Sequence, residues 1–99
     1  MYIVFLRFGA QRAQAGQWMA QHGQWLKQGL DDGVFLMAGS LGEGQGGVVL
    51  ARGPDRDSLL ARVAQDPFVE HGVVDAEVHA VSPSRWAPGM AELFAPAAA

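Results

Sequence analysis

Four short apolar runs, separated by two stretches of helical periodicity, constrain this 99-residue chain more than any other feature. Tyr2 to Phe8 is nearly continuously apolar and rich in aromatic and β-branched residues, the pattern of a strand buried on both faces. Gly9 ends it. From about Gln11 to Leu30 the period changes. Trp18, His22, Trp25, Leu26 and Leu30 recur at i, i+4, i+7, i+8 and i+12, one stripe of a helix, with Ala15 and Met19 on its flank. Gly16, Gly23 and Gly29 each weaken that helix by up to about 1 kcal/mol relative to Ala, so packing must hold it. Gly33, after Asp31 and Asp32, is a suitable stop.

Val34 to Ala38 reads as a second strand, Ser40 to Gly47 as a glycine-rich connection whose part from Gly42 to Gly47 is a mobile hairpin loop that could still edge a pocket as a lid, and Val48 to Ala51 as a third strand. Arg52-Gly53-Pro54 turns the chain. Asp55 or Asp57 can cap a second helix running to about Gln65, with Leu59, Leu60 and Val63 facing inward. Asp66-Pro67 breaks it. Phe68 to His71 reads as one helical turn closed by Gly72. Val74, Ala76, Val78 and Ala80 then alternate with Asp75, Glu77 and His79, a half-buried strand. The order β-α-β-β-α-β predicts an α+β fold of ferredoxin-like type, an antiparallel sheet with both helices on one face. The other face would be open, and Val73, Val81 and the aromatics of the first strand are candidates to cover it by dimerisation.

The chain divides into a single domain, 1–83, and a C-terminal tail, 84–99. Trp86 and Phe94 would be costly to leave in water, so the tail is expected to pack on the domain or on its dimer partner, with Ala95 to Ala99 fraying.

Composition narrows the function. Forty-nine per cent of residues are apolar and 17% charged, a globular balance. The absence of cysteine excludes a disulfide scaffold, an iron–sulfur cluster and a thiol nucleophile. A net charge of −3 leaves no basic stripe for nucleic acid. The apolar start is stopped by Arg7 and lacks a basic leader, so it is not read as a signal peptide, and no run approaches a membrane span. A cytoplasmic location is expected because nothing directs the chain elsewhere.

Among residues able to carry chemistry, His22 stands out in the middle of the apolar stripe. The residues alone leave two readings: a core histidine bonded to a backbone carbonyl, or a general acid or base lining a cavity between helix and sheet. Asp66 is its candidate partner. As the residue before a first-turn proline it is also an N-cap, and one oxygen could cap while the other takes the imidazole N–H. The loop from Gly42 to Gly47 does not form a dinucleotide fingerprint, because a strand follows it rather than a helix. His22, His71 and His79 lack metal-ligand spacing, and no serine sits in a nucleophile elbow. No cofactor and no metal are called for.

Two segments together resemble the YCII-related (YciI-like) family. The first runs from His22 through Trp25-Leu26, Leu30 and Asp31-Asp32-Gly33 to Val34-Phe35-Leu36-Met37-Ala38-Gly39. The second is Asp66-Pro67-Phe68 followed by Gly72 and Val73. Weaker echoes are the aliphatic first strand and Val81-Ser82-Pro83. The resemblance spans about residues 2 to 83. It implies a ferredoxin-like fold that dimerises through its sheets, the dimeric α/β-barrel type, with a site built on His22 and Asp66. It also implies a lyase-type activity, dehydrochlorinase-like or isomerase-like, in which the histidine moves a proton on a small organic substrate. Ser40 stands where the family usually has proline, Ser84 where an aromatic often follows Pro83, and the tail from Trp86 has no counterpart. The resulting expectation is an acid/base pair of His22 and Asp66, with Trp18, Trp25 and Ser40 shaping the substrate cavity of a homodimer. The alternative is a non-catalytic dimeric module that binds a small ligand or another protein, in which the His–Asp contact is structural.

Overall fold

The computed structural model describes residues 1–53 and 55–94. The chain runs β1 (Tyr2–Phe8), α1 (Ala15–Asp31), β2 (Phe35–Leu41), β3 (Gly46–Ala51), α2 (Arg56–Ala64), α3 (Pro67–Glu70), β4 (Val74–Ala80) and α4 (Ala91–Phe94). The sheet is four-stranded, antiparallel and ordered β2-β3-β1-β4. It is an α+β architecture consistent with the ferredoxin-like arrangement. β1 lies at its centre, which is why that strand carries the most continuous apolar run.

Register decides which side chains meet. Val4 pairs with Val49 and Val78, and Leu6 with Gly47 and Ala76. Residues opposite one another share a face, so Val4, Leu6, Val49, Ala51, Phe35 and Val74 line the side on which the helices pack. Leu59, Val63 and Phe68 close over them from α2 and α3, and Val73 is buried in the same core. The opposite face carries Ile3, Phe5 and Leu50, all half-buried. Phe5 packs edge-on against His79 there, and Arg7 pairs with Glu77.

Several expectations are corrected. Helix α1 begins at Ala15, not Gln11. Arg12–Gln14 form a 3₁₀ turn instead, because the Gln11 N–H donates to the Gly72 carbonyl and pins the chain to the end of α3. Leu30, expected on the buried stripe, is 43% exposed, and Gly29 is the buried residue of that turn. The helix comes so close to Phe35 that a side chain does not fit there. Leu60, Ala76 and Ala80 are exposed as well, and Val73 is in the core rather than on the open sheet face.

The largest change concerns the glycine-rich connection. β2 runs on to Leu41 and β3 starts at Gly46, with Ser40 opposite Gly47 and Leu41 opposite Gly46. Only Gly42–Gly44, a 3₁₀ turn, and Gln45 link the strands. A ladder needs backbone, not side chains, so a glycine run can pair when a neighbouring strand supplies partners. Gly46 is required there: its φ is +130°, and an added Cβ would collide with the Leu6 carbonyl. The hairpin expected there is present but shorter, with Ser40, Gly46 and Gly47 held in its strands.

The second helix and the turn after it follow the sequence reading closely. Asp55 caps α2 by accepting from the Ser58 N–H at 2.6 Å. Asp66 caps α3, with Pro67 in the first turn. After β4 the chain leaves the sheet. Trp86, Met90 and Leu93 are exposed, and the expected frayed end at 95–99 lies outside the described residues. No helix among the described residues is long and apolar enough to cross a membrane.

Candidate functional site

The site is assembled where α1 crosses the N-terminus of α3. Asp66 adopts an extended conformation as the N-cap, and its Oδ1 accepts the Phe68 N–H at 3.0 Å. The same oxygen lies 2.8 Å from His22 Nδ1. An ionised carboxylate can only accept, so Nδ1 carries the proton and donates it. In the neutral imidazole this leaves Nε2 as the acceptor. The sequence reading divided these two tasks between the two carboxylate oxygens; the structure gives both to Oδ1. Oδ2 is buried without a partner among the described residues. Asp66 is fully buried and the His22 side chain is 14% exposed, so the hydrogen bond is shielded from water.

Phe68 fixes the plane of the imidazole. The two rings stack with centroids 4.0 Å apart and 5° between planes. Hydrogen bond and stack therefore hold the ring by two contacts, while the cap holds the Asp66 carboxylate in place, and all three depend on the sequence Asp66-Pro67-Phe68.

His22 opens onto a cavity of about 360 Å³ between α1 and the sheet. Its floor is formed by Leu6, Val49 and Val74, with Ser40 at the β2 edge and Phe68 toward β4. On the helix side Met19, Gly23 and Leu26 surround His22. The space exists partly because two inward positions carry no side chain. Gly23 on α1 has nothing within 4 Å of a Cβ placed on it, and Gly47 meets only the Gly39 carbonyl, at 3.3 Å.

Ser40 thus lines the cavity, but from a strand rather than from a loop. Trp18 and Trp25 do not line it. Trp18 stacks on His71, with centroids 3.7 Å apart and planes 7° apart, outside the cavity wall. Trp25 turns toward α2, where its Nε1–H donates to the Arg62 carbonyl at 2.9 Å and its ring packs edge-on to Phe35. Their common stripe faces the protein interior, but that interior has a packed half and a hollow half. Sequence reasoning missed Gly23 and Met19 as lining residues. The signal was available, since Met19, Gly23 and Leu26 share the i, i+4, i+7 spacing around His22. The three histidines stand apart: His22 on Asp66, His71 on Trp18, and His79 beside Glu77.

The model of the YCII-related domain matches residues 1–82, nearly the whole of the chain that carries the sheet and the site. The chain belongs to the YCII-related domain family. No curated protein matches it. Among solved structures, the chain resembles 5-chloro-2-hydroxyhydroquinone dehydrochlorinase from Burkholderia phenoliruptrix AC1100, in complex with 2,5-dihydroxybenzoquinone. The two are 20% identical, with a TM-score of 0.64 over 90% of this chain and 96% of the other. At that identity the likeness shows that this YCII-related chain shares the fold.

Proposed function

We propose that this protein is a small-molecule enzyme in which Asp66 orients His22 and Nε2 of His22 moves a proton on a ligand held in the cavity. The observation that carries the reading is the division of labour on one imidazole. Nδ1 is committed to a buried carboxylate at 2.8 Å, while the ring lines a cavity of ligand size. An acceptor fixed in this way can withdraw a proton from an acidic O–H or C–H and return it elsewhere, which is the general acid–base step of an elimination or an isomerisation. The dehydrochlorinase likeness favours elimination as the first reaction to try, with chloride as the leaving group.

The acting species in this reading is a homodimer joined through the open sheet face, where Ile3, Phe5 and Leu50 form an apolar strip. In this reading Trp86, Met90 and Leu93, exposed on the tail, pack against that partner.

The experiment is chloride release from 5-chloro-2-hydroxyhydroquinone, followed with the wild-type protein and with His22→Ala. Turnover above the uncatalysed rate that drops by about 10²–10⁴-fold in His22→Ala supports the reading. Turnover that is unaffected by the substitution refutes it. Proton exchange into hydroxylated aromatic rings, measured in deuterated water, tests the isomerase form in the same way. Sedimentation at micromolar concentration tests the dimer, and a monomer would remove that part of the proposal.

A further inference from the structure

The lining of the cavity narrows what it can hold. Its volume, about 360 Å³, lies at the small end of ligand sites and holds one ring with its substituents. Among the lining residues only two side chains are polar, His22 and Ser40, and none is Lys, Arg, Asp or Glu. An ionised group seated among Leu6, Leu26, Val49 and Phe68 would lose part of its hydration with no charged lining residue to replace it, which is unfavourable. One cation stands at the rim: the Arg12 guanidinium, not itself a lining residue, lies over the ring of Phe8, which does line the cavity, 4.3 Å from its centroid.

Ser40 occupies a distinctive place in this arrangement. It pairs with Gly47, which pairs in turn with Leu6, so it projects on the same face of the sheet as the cavity floor. The edge strand holds it at one side of the cavity, while His22 stands over Phe68 on the side of α3 and β4. The neighbouring Gly47 brings no side chain to cover it. A hydroxyl can donate to or accept from a neutral oxygen without adding charge.

We propose that the cavity selects an uncharged, single-ring ligand bearing a hydroxyl or carbonyl oxygen, and that Ser40 is the specificity residue that hydrogen-bonds this oxygen. The inference rests on the reading of this cavity as the ligand site, and it adds a residue and a charge class to that reading. Ser40 positions the ligand; the proton transfer is left to His22.

The test is a titration of the full-length protein, followed by backbone amide NMR shifts, with hydroquinone, 4-hydroxybenzoate and toluene as probes. Hydroquinone should shift amides lining the cavity and bind at least about tenfold more tightly than 4-hydroxybenzoate at neutral pH. Ser40→Ala should weaken hydroquinone by about five- to tenfold, the loss of one hydrogen bond, and leave toluene unchanged. Ser40 is exposed, so the substitution spares the core, and an unchanged amide spectrum without ligand checks that. Equal weakening of hydroquinone and toluene, or no weakening at all, overturns the role of Ser40. Tighter binding of 4-hydroxybenzoate that is lost in Arg12→Gln overturns the charge class and assigns the selectivity to Arg12. Both results leave the cavity as the site. If no probe shifts the cavity amides, this inference fails together with the assignment of the site.

Discussion

Two substitutions of the same kind in one helix should change stability unequally, one stabilising and the other not. Gly23 and Gly29 both lie within α1, so replacement by Ala brings each a similar gain in helix propensity, about 0.8–1 kcal/mol. Their surroundings differ. A Cβ on Gly23 meets nothing within 4 Å. A Cβ on Gly29 would overlap Cδ2 and Cε2 of Phe35 and sit 2.7 Å from its Cγ. Phe35 cannot withdraw, because it is 2% exposed and is held edge-on by Trp25 at a centroid distance of 4.9 Å. Overpacking of this kind costs about 1–3 kcal/mol. Gly23→Ala should therefore stabilise by about 1 kcal/mol, while Gly29→Ala should range from neutral to about 2 kcal/mol destabilising. The propensity gain nearly cancels in the difference, which isolates the steric cost at roughly 1–3 kcal/mol. For a domain of this size each kcal/mol corresponds to about 4–8 °C in Tm. Urea unfolding monitored by circular dichroism, with equal slopes for the two variants, measures the difference directly. If Gly29→Ala proves as stable as Gly23→Ala, the close approach of α1 to Phe35 is wrong. Because Gly23 also lines the cavity, the more stable variant should bind ring ligands more weakly.

The remaining predictions follow from single contacts. Asp66→Ala removes the cap of α3 and the partner of His22 together and should destabilise by roughly 2–4 kcal/mol in urea unfolding. Asp66→Asn retains an acceptor oxygen, so it should stay folded while reducing chloride release; equal activity would leave the carboxylate with a structural role only. Trp25→Phe leaves the Arg62 carbonyl without its indole donor and should cost about 1 kcal/mol, read by thermal unfolding. The Asp55 carboxyl is held below its ordinary value, chiefly by the Ser58 N–H and then by the Ser58 hydroxyl. A folded value lowered in this way contributes stability that is complete above about pH 4 and disappears as pH falls through the lowered value. Asp55→Asn should flatten that part of the acid limb in melting curves recorded from neutral to acidic pH.

The cavity carries one histidine, one hydroxyl and no charged lining residue, which suits the small substrate proposed above. The family match covers the residues that build this arrangement, from β1 to the end of β4. Gly23, Ser40 and Gly47 are small residues at inward positions, and each is a place where a larger side chain would change which ring fits.

Local patterns in the chain carry much of the fold. The change of period from strand to helix at α1, the Asp-Pro stop before α3 and the alternation of β4 reflect preferences that act over a few residues, so the sequence states them directly. The nearness of His22 and Asp66, 44 residues apart, is legible only because both lie in recurring motifs. The ends of β2 and β3 are not legible, since glycines pair only when a neighbouring strand supplies partners. Nor are the positions of Trp18 and Trp25: periodicity says that a face is buried, not against what.

By itself, then, the sequence determined the order of the main elements, much of the core and the residues capable of proton transfer. These follow from backbone preference and hydrophobic spacing. The tertiary structure alone decided that one oxygen of Asp66 serves both the cap and the histidine, that Trp25 seals the core while His22 faces a hollow, and that Ser40 reaches that hollow from a strand. Each depends on the distance between elements far apart in the chain, which is set by how their surfaces pack and which no local pattern encodes.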